Sequence, residues 1–348
     1  MKLLLRTFLG LSAMFALVFT MHSQAPAAGK LRIYFIDVEG GQSTLFVTPA
    51  GKSLLIDTGW PGNNFRDADR IVAAAKSAGL NRIDSVLITH FHEDHVGGVP
   101  QLVQRIPVGT FFVHGPNREL DHGDTEEGNA AFQKVLAQTK AKEIVPKPGD
   151  RLPIEGLDAT AISSDGKVIQ TPLPGAGQPN AYCKQSEIRP PDQTENARSL
   201  GVLIRFGDLR ILDLGDLTWD KERDLMCPEN RLGKVDLLVV SHHGWYESSS
   251  PALVEAIHPR VAIMDNGAKK GGSIPTLDTV RKAPGLKALW QLHYSDEGGA
   301  THNTPAEYIA NLDGPDAGHD IEVTASRDGS FTVHNSRTGA DKHYAAGK

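Results

Sequence analysis

Three observations predict a layered, mixed α/β fold. Short apolar strands alternate with amphipathic helices, the first three strands are joined by turns too short for a crossover, and three later strands end on histidine or aspartate. Residues 31–36, 44–47 and 53–56 read as strands separated by the glycine-bearing turns Glu39-Gly40-Gly41 and Pro49-Ala50-Gly51, so they pair antiparallel as hairpins. Residues 67–78 read as a helix with Ala68, Ile71, Val72 and Ala75 on one face and Gly79 in the stop position. A strand at 86–88, a helix near 99–105, a strand at 110–113 and a helix from about 126 to 139 continue the alternation.

Residues 164–195 interrupt it. They are rich in Gly, Pro, Gln and Asn and lack periodicity, which predicts an ordered surface loop or lid inserted into the domain. The pattern resumes with a hairpin, 200–206 and 210–214, turning at Gly207-Asp208, and with an apolar strand at 235–240 that ends on Ser241-His242-His243-Gly244. Strands at 260–264, 287–292, 321–324 and 330–333 and helices at 250–257 and 305–311 complete the reading. There is no internal repeat, heptad run or low-complexity block.

Composition bounds the chain before chemistry does. With 348 residues and 40% hydrophobic content it can bury a sizeable core, and residues 29–348 read as one domain. Residues 1–28 read as a secretory signal peptide: Lys2 and Arg6 form a charged head, residues 7–20 an apolar middle, and Ser23-Gln24-Ala25 or Ala25-Pro26-Ala27 a small-residue cleavage site. The apolar run is short of a bilayer span, so no membrane association is expected after cleavage. Export places the mature chain in a periplasm or outside the cell, where Cys183 and Cys227 could pair; neither reads as a metal ligand. Losing Lys2 and Arg6 takes the formal charge from −6 to −8, which argues against bulk affinity for nucleic acid.

The chemistry centres on THFHEDHVGG, residues 89–98, directly after the strand at 86–88. His90 and His92 are two apart and share a side of extended backbone, with Asp94 and His95 following on the turn. Imidazole nitrogens and carboxylate oxygens at this density suit Zn²⁺ or a similar cation and predict a two-metal site. Asp216 after Leu214-Gly215, and His242 with His243 after the strand at 235–240, are the other loaded strand ends, and their convergence on the cluster is the natural expectation.

Asp57 in LLIDTG, the THFHEDHVGG cluster, ILDLGD and VVSHHG, in this order, resemble the metallo-β-lactamase fold superfamily. The segment Asp37-Val38-Glu39-Gly40-Gly41-Gln42-Ser43 and the pair His242-His243 are similar to the branch that includes the hydrolase domain of the competence DNA-uptake channel protein. The resemblance covers about residues 31–265 and implies a four-layer αββα sandwich with metals in the cleft between two sheets. It implies His90 and His92 on one metal, Asp94 and His95 on the other, Asp216 between them, and a last ligand from His242 or His243. His243 is favoured because a histidine commonly precedes glycine here. Asp57 is expected to orient the cluster's loop or a ligand histidine. One departure is Asn196, where many members carry a further histidine; the competence-type branch resembles this chain in using Asn, and classical β-lactam hydrolysis becomes the less favoured activity.

Two divalent ions, Zn with Mn or Fe as alternatives, would acidify a bound water and supply a hydroxide nucleophile, with Asp94 or Asp216 orienting it. The expected substrate is a small molecule or phosphoester cut at a phosphoric ester bond; carboxylic esters, lactones or β-lactams are the alternative, and a non-catalytic metal-bound binding protein is the reading from another class. A serine nucleophile is disfavoured because Ser43, Ser199 and Ser241 lack the Gly-x-Ser-x-Gly setting. Among the other histidines, His114, His122 and His293 read as ordinary. His302 stands out because the polar loop 295–304, with Gly298-Gly299, could fold over the cleft. Trp60 reads as a pocket wall or a core residue.

Overall fold

The computed structural model describes residues 29–312 and 316–347; the expected leader lies outside these residues. A nine-stranded sheet is ordered in space Ala340–Tyr344, Phe331–Asn335, Ile321–Ala325, Leu31–Phe35, Thr44–Val47, Ser53–Ile56, Ile83–Leu87, Val108–Phe112 and Lys142–Ile144. It is antiparallel as far as Ser53–Ile56, where the expected hairpins form, and parallel beyond. The second sheet has eight strands, ordered Ile309–Asn311, Ala288–His293, Val261–Met264, Leu237–Val239, Leu209–Asp213, Val202–Phe206, Asp158–Ala161 and Arg151–Leu152.

The strand pleat sorts side chains into layers. Ile33 and Phe35 enter a core shared between the sheets with Ile204, Ile211, Leu237, Ile263 and Trp290, whereas their neighbours Tyr34 and Ile36 pack outward with Ile71 and Ala75 of the helix Arg66–Ser77. On the far side, Leu238 and Ala262 pack with Leu225 of the helix Trp219–Met226 and Leu277 and Val280 of Ile274–Lys282. Helix, sheet, sheet and helix layers result: an αββα sandwich.

Several elements differ from expectation for local reasons. The helix expected at 305–311 is a 3₁₀ turn, Ala306–Tyr308, followed by the edge strand Ile309–Asn311, because pairing with Ala288–His293 outweighs a weak helical pattern. The helix expected at 250–257 is confined to Pro251–Val254, capped by the Ser250 hydroxyl. Trp219–Met226 and Ile274–Lys282 are helices that the sequence reading left out, as are the strands Lys142–Ile144, Arg151–Leu152, Asp158–Ala161 and Ala340–Tyr344. Lys142–Ile144 and Ala340–Tyr344 are largely exposed edge strands, so no apolar alternation marks them. The insertion 164–195 is ordered. Gln178–Pro179 pairs with Glu229–Asn230, and a disulfide joins Cys183 to Cys227 just beyond Trp219–Met226.

Candidate metal centre

Each loaded residue follows a strand end, and the ends converge at one edge of the sandwich. Gly215 packs so closely on the other sheet that a Cβ there would lie 2.7 Å from Thr89 Cβ, and its φ of 55° suits glycine. Asp216 therefore comes directly against the histidine loop. The Asp216 amide donates to Ser199 Oγ (3.3 Å), and Leu200 N donates to the Thr89 carbonyl (2.8 Å), which ties the buried turn Asn196–Arg198 to both ends. Asn196 Oδ1 is buried without a hydrogen-bond partner among the described residues.

His242 and His243 depart from simple strand alternation. Both adopt left-handed backbone, with φ of 56° and 52°, so the kink falls on the histidines themselves as well as on Gly244. As a result both rings face Asp216: His242 Nε2 is 3.4 Å and His243 Nε2 3.6 Å from its Oδ2. His243 is the deeper of the two, with Nε2 3.0 Å from Asp94 Oδ2 and 3.2 Å from His95 Nε2. His95 Nε2 is in turn 3.2 Å from both Asp94 Oδ2 and Asp216 Oδ2. Ligand atoms of Asp94, His95, Asp216 and His243, all buried, lie within 4.8 Å of one another. His90 Nε2 is 2.9 Å from His92 Nδ1 and 3.9 Å from Asp216 Oδ2, a second group sharing the same aspartate.

The far side of these rings decides which nitrogens carry lone pairs into the cluster. Asp57, on a left-handed turn after Ser53–Ile56, accepts from Thr89 N (2.8 Å), Thr89 Oγ1 (2.7 Å) and His95 Nδ1 (2.7 Å). Having given its proton to Asp57, the Thr89 hydroxyl accepts from His90 Nδ1 (3.0 Å). Glu119 Oε2 lies 3.4 Å from His92 Nε2, and Asp265 Oδ1 lies 3.6 Å from His243 Nδ1. In the neutral tautomers that these partners favour, the inward nitrogens carry lone pairs: His90 Nε2 against His92 Nδ1, and His95 Nε2 against His243 Nε2. Facing lone pairs repel unless a cation lies between them. Tetrahedral ligands about 2.0–2.1 Å from an ion sit roughly 3.3 Å apart, the spacing found here. Asp216 Oδ1, buried without a hydrogen-bond partner among the described residues, is one more oxygen open to a cation. The residues fit a divalent ion among Asp94, His95, Asp216 and His243, with His90 and His92 placed beside it.

Electrostatics point the same way. Burial alone would raise the Asp94 and Asp216 carboxyls, yet Lys270 and His95 beside the first, and His242 and His95 beside the second, hold both well below the usual carboxylate range. Burial would lower His95 and His243, and the carboxylates, Asp216 foremost, raise them instead. Burial pushes His242 down to about 4, so it is neutral at physiological pH.

The sequence reading missed three contributors. Lys270 reaches from the loop after Val261–Met264 to bond Asp94 Oδ2, with its ammonium 4.5 Å from the centre of the Trp60 ring. Asp265 and Glu119 stand behind ligand-type histidines, as described. Only the glycine-flanked Lys269-Lys270-Gly271-Gly272, shortly after a strand end, hinted at the first. His302 is not brought to the cluster: its Nδ1 lies 2.9 Å from Asp278 Oδ1, and its loop packs on Ile274–Lys282 through Arg281. His114 pairs with buried Glu195 (2.8 Å), whose Oε2 also accepts from the Phe91 amide between His90 and His92. His122 bonds Asp124 and His293 bonds Asp37, both outside the cluster. Trp60 is half-buried beneath Lys270.

Residues 37–183 match the family model described as Metallo-beta-lactamase superfamily. ComE operon protein 3 of Bacillus subtilis (strain 168) is 23% identical over 250 residues, 67% of this chain, which spans 28% of that relative's length. Among solved structures, CmlA, a diiron β-hydroxylase from Streptomyces venezuelae, superposes with a TM-score of 0.39 and 16% identity over 76% of this chain and 48% of that one. Zn²⁺-bound PqqB from Methylobacterium extorquens gives 0.40 and 18% over 68% and 89%. The chain carries a domain of the metallo-β-lactamase superfamily, homologous at modest identity to ComE operon protein 3.

Proposed function

We propose that the protein is an exported, binuclear metal-dependent hydrolase of phosphoric esters. The observation that carries the reading is the pair of inward-facing histidine couples sharing Asp216, with the Lys270 ammonium on the neighbouring carboxylate, Asp94. His90 and His92 would hold one ion, Asp94, His95 and His243 the other, and Asp216 both. Divalent ions bound there supply an acidified water and polarise a substrate oxygen.

The chain's own residues do the rest. Asp57, Asp265, Glu119 and Thr89 fix the ring orientations, and Asp216 and Asp94 carry the charge that keeps two cations in one cleft. Neutral His242, facing Asp216 with its Nε2 and 3.4 Å from Ser248 Oγ with its Nδ1, is placed to donate a hydrogen bond to a leaving oxygen. Lys270 supports an anionic substrate: its side chain is about one-third exposed, at 36%, and its ammonium can trade Asp94 for a phosphate oxygen. Among the described residues no helix is long and apolar enough to cross a membrane, and the Cys183–Cys227 bond suits an oxidising compartment. Together with residues 1–28 the disulfide supports export to a periplasm or the exterior.

The test is a panel of phosphodiester, phosphomonoester, lactone and β-lactam substrates with metal-loaded protein. Turnover of a phosphoric ester that is lost on chelation and regained with Zn²⁺ or Mn²⁺ is expected. Lactone or β-lactam turnover alone would replace the substrate class, and no turnover at full metal occupancy would favour a binding protein. For export, N-terminal sequencing of protein from the native envelope should find a start between about residues 25 and 28, and an intact Met1 would overturn it.

A further inference from the structure

We propose that Asp37, Glu39 and His293 hold a divalent transition-metal ion of their own, separate from the cluster around Asp216. Asp37 follows Leu31–Phe35 of the first sheet, and His293 ends Ala288–His293 of the second, so the donors approach from opposite layers. His293 Nε2 is 2.7 Å from Asp37 Oδ1 and 3.7 Å from Glu39 Oε1, and ligand atoms of all three lie within 4.8 Å of one another. These spacings bracket the roughly 3.3 Å expected between ligands of one tetrahedral ion.

The group is more than an acidic patch. Asp37 is fully buried and His293 nearly so, and an imidazole facing carboxylates selects Zn, Mn or Fe over the all-oxygen cations. Glu39 Oε1 is buried with no hydrogen-bond partner among the described residues, although the rest of its side chain reaches solvent at the mouth. Its left-handed backbone (φ 58°) turns it back so that its amide donates to Asp37 Oδ1 (2.9 Å) while its carboxylate stays beside His293. Arg70 bonds Asp37 Oδ2 (3.1 Å), so that Oδ1, which accepts from the Glu39 amide, is the oxygen turned to His293 Nε2. The charges facing this corner are the carboxylates of Asp37, Glu39, Asp316 and Asp320 against Arg66, Arg70 and His293. Arg66 and Arg70 are largely taken by Asp67 and Asp316, so Glu39 lacks a full counter-charge.

An ion here would brace the two sheets beside the cleft. Gly40 packs on Gly267, where a Cβ would come within 2.8 Å of the Gly267 nitrogen, and Asn266 Nδ2 donates to the His293 carbonyl (2.8 Å). The loop that carries Lys270 is thus anchored on the same corner. The proposal does not depend on the function proposed for the Asp216 cluster.

The test is metal analysis of the full-length mature protein, dialysed against Zn²⁺, for the wild type, Glu39→Gln, His293→Gln and Asp216→Asn. Glu39→Gln and His293→Gln are each expected to carry one zinc fewer than the wild type, and Asp216→Asn to retain that zinc. Zinc should also raise the melting temperature of Asp216→Asn, and this rise should vanish when Glu39→Gln is added. Because Glu39 lies at the surface, its variant decides the matter even where His293→Gln fails to fold. Equal zinc content in the wild type and Glu39→Gln overturns the proposal. An empty Asp216 cluster would instead leave the wild type with a single zinc, still lost in Glu39→Gln.

Discussion

The two sheets contribute to the cleft in different ways. The first sheet delivers His90, His92, Asp94 and His95 from one turn after Ile83–Leu87, whereas the second delivers Asp216, His242, His243, Asp265 and Lys270 from several strand ends spread over 55 residues. The first half is held by local geometry, with the short helix Glu93–Val96 and the Asp57–Thr89 bonds. The second exists only once the parallel strands Leu209–Asp213, Leu237–Val239 and Val261–Met264 lie side by side. Contiguous ligands preorganise a site cheaply, while dispersed ones link it to the integrity of the sheet.

The largest expected effect falls where the halves meet. Asp216→Asn should fold, bind less metal and lose hydrolytic rate on the order of 10⁴-fold, the scale seen when one member of a cooperating set is removed. Rate and metal content measured together would break the comparison if both stayed at wild-type values, since Asp216 would then join nothing.

Next comes the tie between the insertion and the second sheet. Reducing Cys183–Cys227, which closes a 44-residue separation, should cost about 4 kcal/mol of stability. Chemical denaturation of the Cys183→Ser/Cys227→Ser variant measures it. Metal binding by the first-sheet histidines should survive better than the rate, because the bond anchors Trp219–Met226, not the histidine loop. An unchanged midpoint would mean that the insertion contributes nothing to the second sheet's half of the cleft.

The contrast also explains what was legible in the sequence. Thr89 to Gly98 announces itself because its ligands crowd within six residues, and the hairpins before it carry clean apolar alternation. Asp216 and the histidine pair were visible as strand ends, although nothing local separated His242 from His243. Their left-handed backbone, which turns both rings to Asp216, is set by tertiary packing: a Cβ on Gly271 would lie 2.0 Å from the His243 carbonyl oxygen. Asp265 was silent and Lys270 only hinted at, because an aspartate after a strand and a lysine before two glycines are ordinary turn residues until a neighbouring strand sets them beside a ring or a carboxylate. His302 misled for the opposite reason: a histidine in a polar, glycine-bearing loop looks mobile, yet Asp278 and Arg281 hold it on a helix.

The histidine pair sharpens the comparison at the level of single rings. His243→Ala should lower both metal occupancy and rate, since His243 lies against Asp94 and His95 with Asp265 behind it. His242→Ala should leave most metal bound and lower the rate by about 10²-fold, the range of a lost proton or hydrogen-bond donor. Asp265→Asn should reproduce a weakened His243, with metal affinity down about 10- to 100-fold, and Asp57→Asn should do the same through His95. Titration with Zn²⁺ separates these cases. Full occupancy in His243→Ala together with loss in His242→Ala would exchange the two assignments.

The smallest effect belongs to Lys270, and its direction is the most informative. The ammonium bonds Asp94 Oδ2, which His95 and His243 also approach, so it competes with a cation for that oxygen. Lys270→Ala should therefore bind metal more tightly than the wild type. Trp60, against which the lysine packs, keeps the ammonium near the cleft, where it can meet an anionic substrate once a cation has displaced it from Asp94. Losing that partly exposed charge should raise KM for a phosphoric ester about tenfold while leaving kcat nearly unchanged, as expected for one charge-assisted hydrogen bond made equally in ground and transition states. A fall in kcat with KM unchanged would instead mean that Lys270 meets charge that develops only during reaction. Weaker metal binding would mean that the lysine supports the cation cluster and does not compete with it.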